Sequence, residues 1–231
     1  ELKKCKTIKE LYETIGMESF EKPAQWILYL WALMPIFSIW SHFYWGYRNG
    51  FREGRDLIIW ASYRDMMLLI SELTWIFLAV YALGCILTKY KRDVRSEKRP
   101  WNYCFLGMFL WSVLATICSQ DVNKSFWGSE YRYEGLLTYF FYVGVFCLAH
   151  VVSKEENRLK YFRVFAGIAN VMSLALFLQD AGVPYVKDVF YIPRATVFFQ
   201  FNHMGYYLCM STLCAVGLFF YEKKRKGRIF R

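Results

Sequence analysis

Long apolar runs alternate with short charged segments along the whole sequence. Most runs are about 18 to 22 residues long, which lets a helix cross a hydrocarbon core about 30 Å thick. The six runs are 26–45, 66–87, 101–118, 135–152, 162–179 and 197–221. Because lipid offers no partner to an unpaired backbone amide, each run is expected to be a helix. The sequence therefore predicts an all-α polytopic membrane protein with about six transmembrane helices.

The basic residues are unevenly divided between the segments that separate these runs. Of the 29 lysines and arginines, 21 lie in residues 1–24, 89–100, 153–163 and 222–231, and the other eight lie in 47–65, 119–134 and 180–195. Cytoplasmic loops of membrane proteins carry the excess of basic residues. The sequence therefore predicts that both termini are cytoplasmic and that the chain is a multi-pass protein of the plasma membrane.

The predicted spans divide the chain into three parts. Residues 1–24 are expected to form a cytoplasmic segment with a short amphipathic helix lying on the membrane. The apolar residues of that helix are Ile8, Leu11, Tyr12 and Ile15. Residues 25–221 are expected to form the six-span domain, and residues 222–231 a basic cytoplasmic segment.

Several classes of function lack the residues they would need. The basic blocks adjoin predicted spans, where they suit anionic lipid headgroups, and no base-reading or stacking groups accompany them. No nucleic-acid partner is therefore expected. The sequence has no glycine-rich nucleotide loop, no D-x-D pattern and no His/Cys cluster at zinc spacing, so neither a metal nor a cofactor is expected. Six of the seven cysteines fall inside predicted spans, which favours packing over a disulfide framework.

Two arginines stand just before predicted spans that begin at the outer face. Arg132 lies three residues before the fourth span and Arg194 three residues before the sixth. The N-terminus of each helix has unpaired amides and a partial positive charge. Two guanidinium groups beside two such helix ends favour the binding of phosphate or pyrophosphate. An arginine at the end of a span also serves as an interfacial anchor, and this alternative stays open.

Other polar residues accompany these arginines. Glu134 is expected to orient Arg132, and Glu72, about six residues into the second span, to pair with either arginine because a charge at that depth needs a partner. Asn202 and His203 either line the same site or cap the sixth span and bond a neighbouring helix. A lone histidine is weak evidence for a catalytic base.

Two stretches of sequence resemble the O-antigen ligase family and its related polysaccharide polymerases. They are "SEYRYEGLLTY" (129–139) and "PRATVFFQFNHMGYYL" (193–208), both within residues 119–221. The matching residues are Arg132, Glu134 and Gly135, followed by Arg194, Phe198, Phe199, Asn202, Gly205, Tyr206, Tyr207 and Leu208. Ala195-Thr196 replaces the glycine that usually follows the second arginine, and the proline common before the asparagine is absent.

The resemblance implies the N-terminal half of a GT-C-like fold in the bacterial plasma membrane. It also implies a metal-independent transferase that moves a glycan from undecaprenyl pyrophosphate to a glycan or glycolipid acceptor on the outer face. The family's two arginines bind the donor pyrophosphate. The substrate-binding residues expected here are Arg132, Glu134, Arg194, Asn202, His203 and Glu72.

The resemblance also implies that the catalytic base lies elsewhere. In the family a histidine of a later outer loop activates the acceptor hydroxyl, and this sequence ends at Arg231 without such a loop. The chain is therefore expected to be the N-terminal part of a longer enzyme and inactive alone, with no catalytic residue of its own. The alternative is a transporter or flippase that binds a lipid-linked or anionic glycan without transferring it. A purely structural membrane subunit comes third.

Overall fold

The structure, a computed structural model, describes the backbone of residues 7–49, 55–90, 100–128, 135–184 and 201–229 and most of their side chains. The helices with both ends in these residues are α1 (Ile8–Ile15), α2 (Glu21–Asn49), α3 (Arg55–Thr88), α4 (Pro100–Ile117), α5 (Val122–Trp127), α6 (Leu136–Val151), α7 (Glu155–Asp180) and α8 (Phe201–Ile229). A 3-10 turn, Met17–Phe20, lies between α1 and α2. Over this part of the chain no β-strand occurs, which confirms the predicted all-α class.

The predicted spans are helical over their described residues, apart from the end residues Cys118, Gly135 and Val152. Three helices begin well before their apolar runs, and the first of them, α2, begins at Glu21. α3 begins at Arg55, so the described residues of the predicted outer loop 47–65 are largely helical. α7 begins at Glu155, where Glu155 and Glu156 complement the partial positive charge of the helix N-terminus. A charged residue ends an apolar run without ending a helix, so hydropathy placed these helix starts too late.

Within the described residues, three helical stretches are long and apolar enough to cross a membrane. They are Asp65–Thr88, Glu155–Asp180 and Met204–Lys223. Two further apolar stretches, Asn102–Ile117 and Leu136–Val151, are shorter than the roughly 20 residues that a span needs. The chain thus has the character of a membrane protein, and the count of six spans stays a prediction.

The chain forms two compact units. The first contains residues 1–24 and 71–152, and the second contains residues 25–70 and 153–231. In the first unit, aromatic rings join helices that are distant in sequence. Trp75 of α3 stacks on Phe140 of α6, with ring centroids 4.1 Å apart, and Phe105 of α4 stacks on Phe146 of α6 at 4.4 Å. α6 is therefore packed against both α3 and α4.

The N-terminal helix α1 belongs to the first unit. Thr7 caps it by accepting a hydrogen bond from the Glu10 amide at 3.2 Å. Tyr12, one of the four apolar residues of the predicted amphipathic helix, does not lie on its exposed surface. Its side chain is buried, and its hydroxyl donates a hydrogen bond to the Val80 carbonyl of α3 at 2.9 Å. The hydroxyl gives tyrosine a polar partner that an aliphatic side chain at this position would lack.

The second unit has an apolar core between α2, α7 and α8. Its buried residues are Ala32, Ile168, Met172 and Met204. At one end of the α7–α8 pair, Arg163 forms an ion pair with Glu222 at 3.0 Å. The pairing of Met172 with Met204 and of Arg163 with Glu222 shows that α7 and α8 are antiparallel.

Candidate anion site at the start of helix α6

The predicted arginine site falls mostly outside the described residues. Arg132, Glu134 and Arg194 all lie there, so the structure does not place their side chains. Asn202 and His203 occupy the first turn of α8, where the backbone alone is described. Their position at a helix start agrees with the sequence expectation, and their role stays a prediction.

Glu72 is the one predicted site residue whose side chain is described. It is exposed on α3, on the helix face that also exposes Leu69, Leu73, Ile76 and Val80. No basic side chain in the described part of the chain forms an ion pair with it. This stretch of α3 is one of the three that can cross a membrane, and a carboxylate there requires a partner.

The short helix α5 is held in place by its own polar residues. Asp121 is the N-cap, and its carboxylate accepts a hydrogen bond from the Lys124 amide at 2.9 Å. The Ser125 hydroxyl donates to the Ser119 hydroxyl at 2.6 Å, and the Asp121 amide donates to the same hydroxyl of Ser119 at 3.2 Å. These bonds fix the chain between α4 and the point where α5 ends.

Gly128 ends α5 with a backbone conformation that suits glycine alone. Its φ is 89° and its ψ is 172°, a region that is essentially closed to residues with a Cβ. Its amide donates a hydrogen bond to the Lys124 carbonyl at 2.8 Å. The helix therefore stops here, and the chain leaves it in a direction that another residue would not easily adopt.

Gly135 lies directly against this turn. A Cβ at Gly135 would overlap the Phe126 carbonyl oxygen and the Gly128 amide nitrogen, and it would lie 2.7 Å from the Phe126 carbonyl carbon. All three are backbone atoms, so no side chain can rotate away to make room. The two ends of the segment 129–134, which carries Arg132 and Glu134, are thus held together by backbone contact.

Gly135 is also the N-cap of α6, and it offers no side chain to bond the first amides of that helix. At this cap the Thr138 amide donates a hydrogen bond to the Gly135 carbonyl, at 3.0 Å. A helix N-terminus has a partial positive charge that favours an anion. The start of α6 therefore suits the role that the sequence assigns to it.

Buried polar atoms lie on α3, on the part that packs against α6. Within the described residues, the Ser71 hydroxyl and the Trp75 indole nitrogen are buried without a hydrogen-bond partner. A Cβ on Gly144 of α6 would lie 3.1 Å from that indole nitrogen and 3.4 Å from a methyl carbon of Thr74. Gly144 thus lets α6 approach the polar edge of α3 closely.

The structural roles of Gly128, Gly135 and Gly144 were not predicted from the sequence. Gly135 was noticed only as part of a motif, and Gly128 and Gly144 were not singled out. The spacing of Gly128 and Gly135 around a segment with Arg132 was a usable signal, because glycine is the residue expected where two backbones approach closely. Comparison of the chain with protein-family models, with curated proteins and with solved structures found no match. Evidence about function therefore comes from the residues themselves.

Proposed function

We propose that this chain is the donor-binding part of a membrane glycosyltransferase that resembles the O-antigen ligases. It binds a glycan linked to undecaprenyl pyrophosphate and presents that glycan to an acceptor sugar at the outer face of the bacterial plasma membrane. Arg132 and Arg194 bind the pyrophosphate, Glu134 orients Arg132, and Asn202 and His203 line the same binding site. The two sequence motifs that resemble the family are the first support for this proposal.

The observation that carries the proposal furthest is the contact of Gly135 with the backbone at Phe126 and Gly128. It brings both ends of the segment 129–134 to the N-terminus of α6, whose N-cap residue, Gly135, has no side chain. A guanidinium group on that segment and the helix N-terminus would then act on the same anion. Arginine suits this task because its planar fork binds two phosphate oxygens at once.

The proposed chemistry is a displacement at the anomeric carbon of the donor sugar. The acceptor hydroxyl loses its proton and forms the new glycosidic bond, while the bond from the sugar to the pyrophosphate oxygen breaks. Negative charge develops on the leaving pyrophosphate, and the two guanidinium groups stabilise it more strongly than they stabilise the bound donor. The base that takes the proton is not assigned to any residue of this chain.

The arginines are tested in the full-length protein that contains this chain. Arg132→Ala and Arg194→Ala are each expected to abolish glycan transfer from a purified lipid-linked donor and to leave insertion intact. Lysine at either position should restore transfer only in part, because it supplies a point charge without the planar fork. The readouts are product formation and donor binding by the purified variants.

Lys124→Ala is the matched control, since Lys124 is an exposed basic residue of the neighbouring helix α5. It should transfer at the wild-type rate. Wild-type transfer by either arginine variant would reduce that arginine to an interfacial anchor and remove it from the proposed site.

The proposal requires that α5 faces the outside of the cell. In intact cells, an impermeant thiol reagent should label single cysteines placed in residues 122–128 and 183–190. Cysteines in 92–98 and 224–230 should stay unlabelled, because the basic segments are expected to face the cytoplasm. Strong labelling of 92–98 would reverse the orientation and withdraw the arginines from the outer face.

The exposed carboxylate of Glu72 favours a second function. Carboxylates within transmembrane helices are typical of ion and substrate pathways, so a transporter or flippase of the same lipid-linked anion is the alternative. The two functions separate in a detergent solution of the full-length protein with donor and acceptor. A transferase forms product there, whereas a transporter forms none and moves the lipid-linked glycan across reconstituted vesicles.

A further inference from the structure

The apolar face of α1 is divided between a buried residue and an exposed stripe. Tyr12 is buried, while Ile8, Leu11 and Ile15 are 62%, 36% and 38% exposed. These three share one side of the helix, because residues three and four apart lie on the same face. Lys9 and Glu13 form an exposed ion pair on the other side, at 3.6 Å. The helix thus presents one apolar stripe outward and one charged face.

α1 is firmly attached to α3. The Tyr12 hydroxyl bonds to the Val80 carbonyl, and its ring lies so close to Gly84 that a Cβ there would be 2.7 Å from two ring carbons. Phe20, just after α1, stacks on Tyr12 at 5.9 Å and contacts Phe77 of α3 at 6.1 Å. The position of the exposed stripe is therefore set by α3.

The attachment point gives α1 a definite level in the membrane. α3 ends at Thr88, so Val80 and Gly84 lie about 12 Å and about 6 Å before its end, at 1.5 Å per residue. The stretch Asp65–Thr88 is one of the three able to cross a membrane. α1 is therefore tied to the last turns of a candidate span, where hydrocarbon gives way to lipid headgroups.

The surface around this attachment has the chemistry of that boundary. Val80, Leu83 and Ile86 of α3 are exposed at the same level, so the last turns of this candidate span also present apolar side chains. The sequence beyond the end of α3 begins with Lys89 and holds six basic residues in 89–100, which suits anionic lipid headgroups. Apolar side chains in the last turns of α3 suit the acyl chains of a lipid leaflet, and the basic residues that follow in the sequence suit its headgroups.

We infer that Ile8, Leu11 and Ile15 insert into the membrane leaflet at the end of α3, with α1 lying in the plane of the interface. The partner is the lipid itself, acyl chains beneath the helix and headgroups beside its charged face. Tyr12 takes no part in lipid contact, because its binding partner is α3. This inference is independent of glycan transfer and holds for a transferase or a transporter alike.

The test is spin labelling of the full chain in lipid vesicles. In a variant without other reactive cysteines, a nitroxide is attached in turn at positions 8, 11 and 15, and at 10 and 13 as matched controls on the charged face. The vesicles are made of phosphatidylcholine alone or of phosphatidylcholine mixed with phosphatidylglycerol. Collision rates with molecular oxygen, which concentrates in the acyl chains, and with a water-soluble nickel chelate are measured at each position.

Positions 8, 11 and 15 should collide several-fold more with oxygen than with the chelate, and positions 10 and 13 should show the opposite preference. The pattern should persist in phosphatidylcholine alone, because apolar insertion carries it. High chelate collision at 8, 11 and 15 would place the stripe in water, and low collision with both reagents would mean that protein covers it. Either result, or a pattern that requires phosphatidylglycerol, would overturn the inference.

Discussion

Each unit has a junction between two of its own helices, and the two junctions are held by different kinds of contact. In the first unit, the junction of α5 and α6 rests on backbone atoms: Gly135 lies against the carbonyl of Phe126 and the amide of Gly128. In the second unit, one end of the α7–α8 pair is held by long side chains, in the ion pair of Arg163 with Glu222. A backbone contact leaves no room for adjustment, whereas an exposed ion pair has water as a ready substitute.

This difference indicates that the relative position of the two helices is more tightly constrained at the α5–α6 junction than at the α7–α8 junction. Two neighbouring backbones in contact leave little freedom for the path of the chain, at the place where the sequence predicts the anion site. The second unit needs only that α7 and α8 stay together, and its apolar core already supplies this. Substitutions should therefore have unequal effects at the two junctions, even where the changes are chemically small.

The largest effect is expected from Gly135→Ala. The added methyl group would overlap two backbone atoms, so the α5–α6 junction must open, and the glycan transfer proposed above should be lost. Limited proteolysis should show new cleavage in residues 126–137. Gly107→Ala in α4 is the control, because a Cβ there meets nothing within 4 Å. If the two variants behave alike, the backbone contact does not set the geometry of this junction.

The next effect is expected from Met172→Ala in the core of the second unit. Met172 is fully buried, and truncation of a core methionine typically lowers the free energy of unfolding by about 2–5 kcal/mol. Leu174→Ala, an exposed position on the same helix, should change it by far less. The measurement is thermal unfolding of both variants in detergent. An equal loss of stability in the two variants would mean that this core does not hold α7 and α8 together more strongly than contacts on their exposed surface do.

Gly128→Ala should have an intermediate effect. An alanine at φ 89° and ψ 172° is expected to raise the energy of the folded state by about 1–3 kcal/mol. The comparison variant is Gly167→Ala in α7, where a Cβ meets nothing and alanine should favour the helix by about 1 kcal/mol. Unfolding temperatures that shift in opposite directions would support this reasoning, and a stabilised Gly128→Ala variant would contradict it.

The smallest effect is expected at the ion pair of the second unit. Arg163 and Glu222 are each nearly half exposed, so their pair should contribute at most about 1 kcal/mol. A double-mutant cycle with Arg163→Gln and Glu222→Gln isolates that contribution, which should shrink as salt concentration rises. A coupling free energy larger than that of an ordinary exposed pair would show that the α7–α8 junction also depends on a specific contact, and would contradict the contrast drawn between the two junctions.

Much of the fold followed from the sequence because lipid restricts the backbone so strongly. The all-α class and the helical state of nearly all described residues in the predicted spans needed only the apolar runs. The N-cap at Asp121 and the turn at Gly128 are local features with known residue preferences, but neither was predicted from the sequence. The helix starts at Arg55 and Glu155 were missed because hydropathy reports contact with lipid and does not report helix ends.

Of the candidate site, the sequence determined the residue types and their order, with Arg132, Glu134 and Arg194 lying outside the described residues. The tertiary structure decided which surfaces meet: Tyr12 turns toward α3, Glu72 stays exposed, and Gly135 lies on the backbone of α5. In a water-soluble protein the apolar face of a helix marks its buried side. Here lipid-facing and protein-facing surfaces are both apolar, so the sequence pattern cannot distinguish them, and only packing in three dimensions assigns each side chain to one or the other.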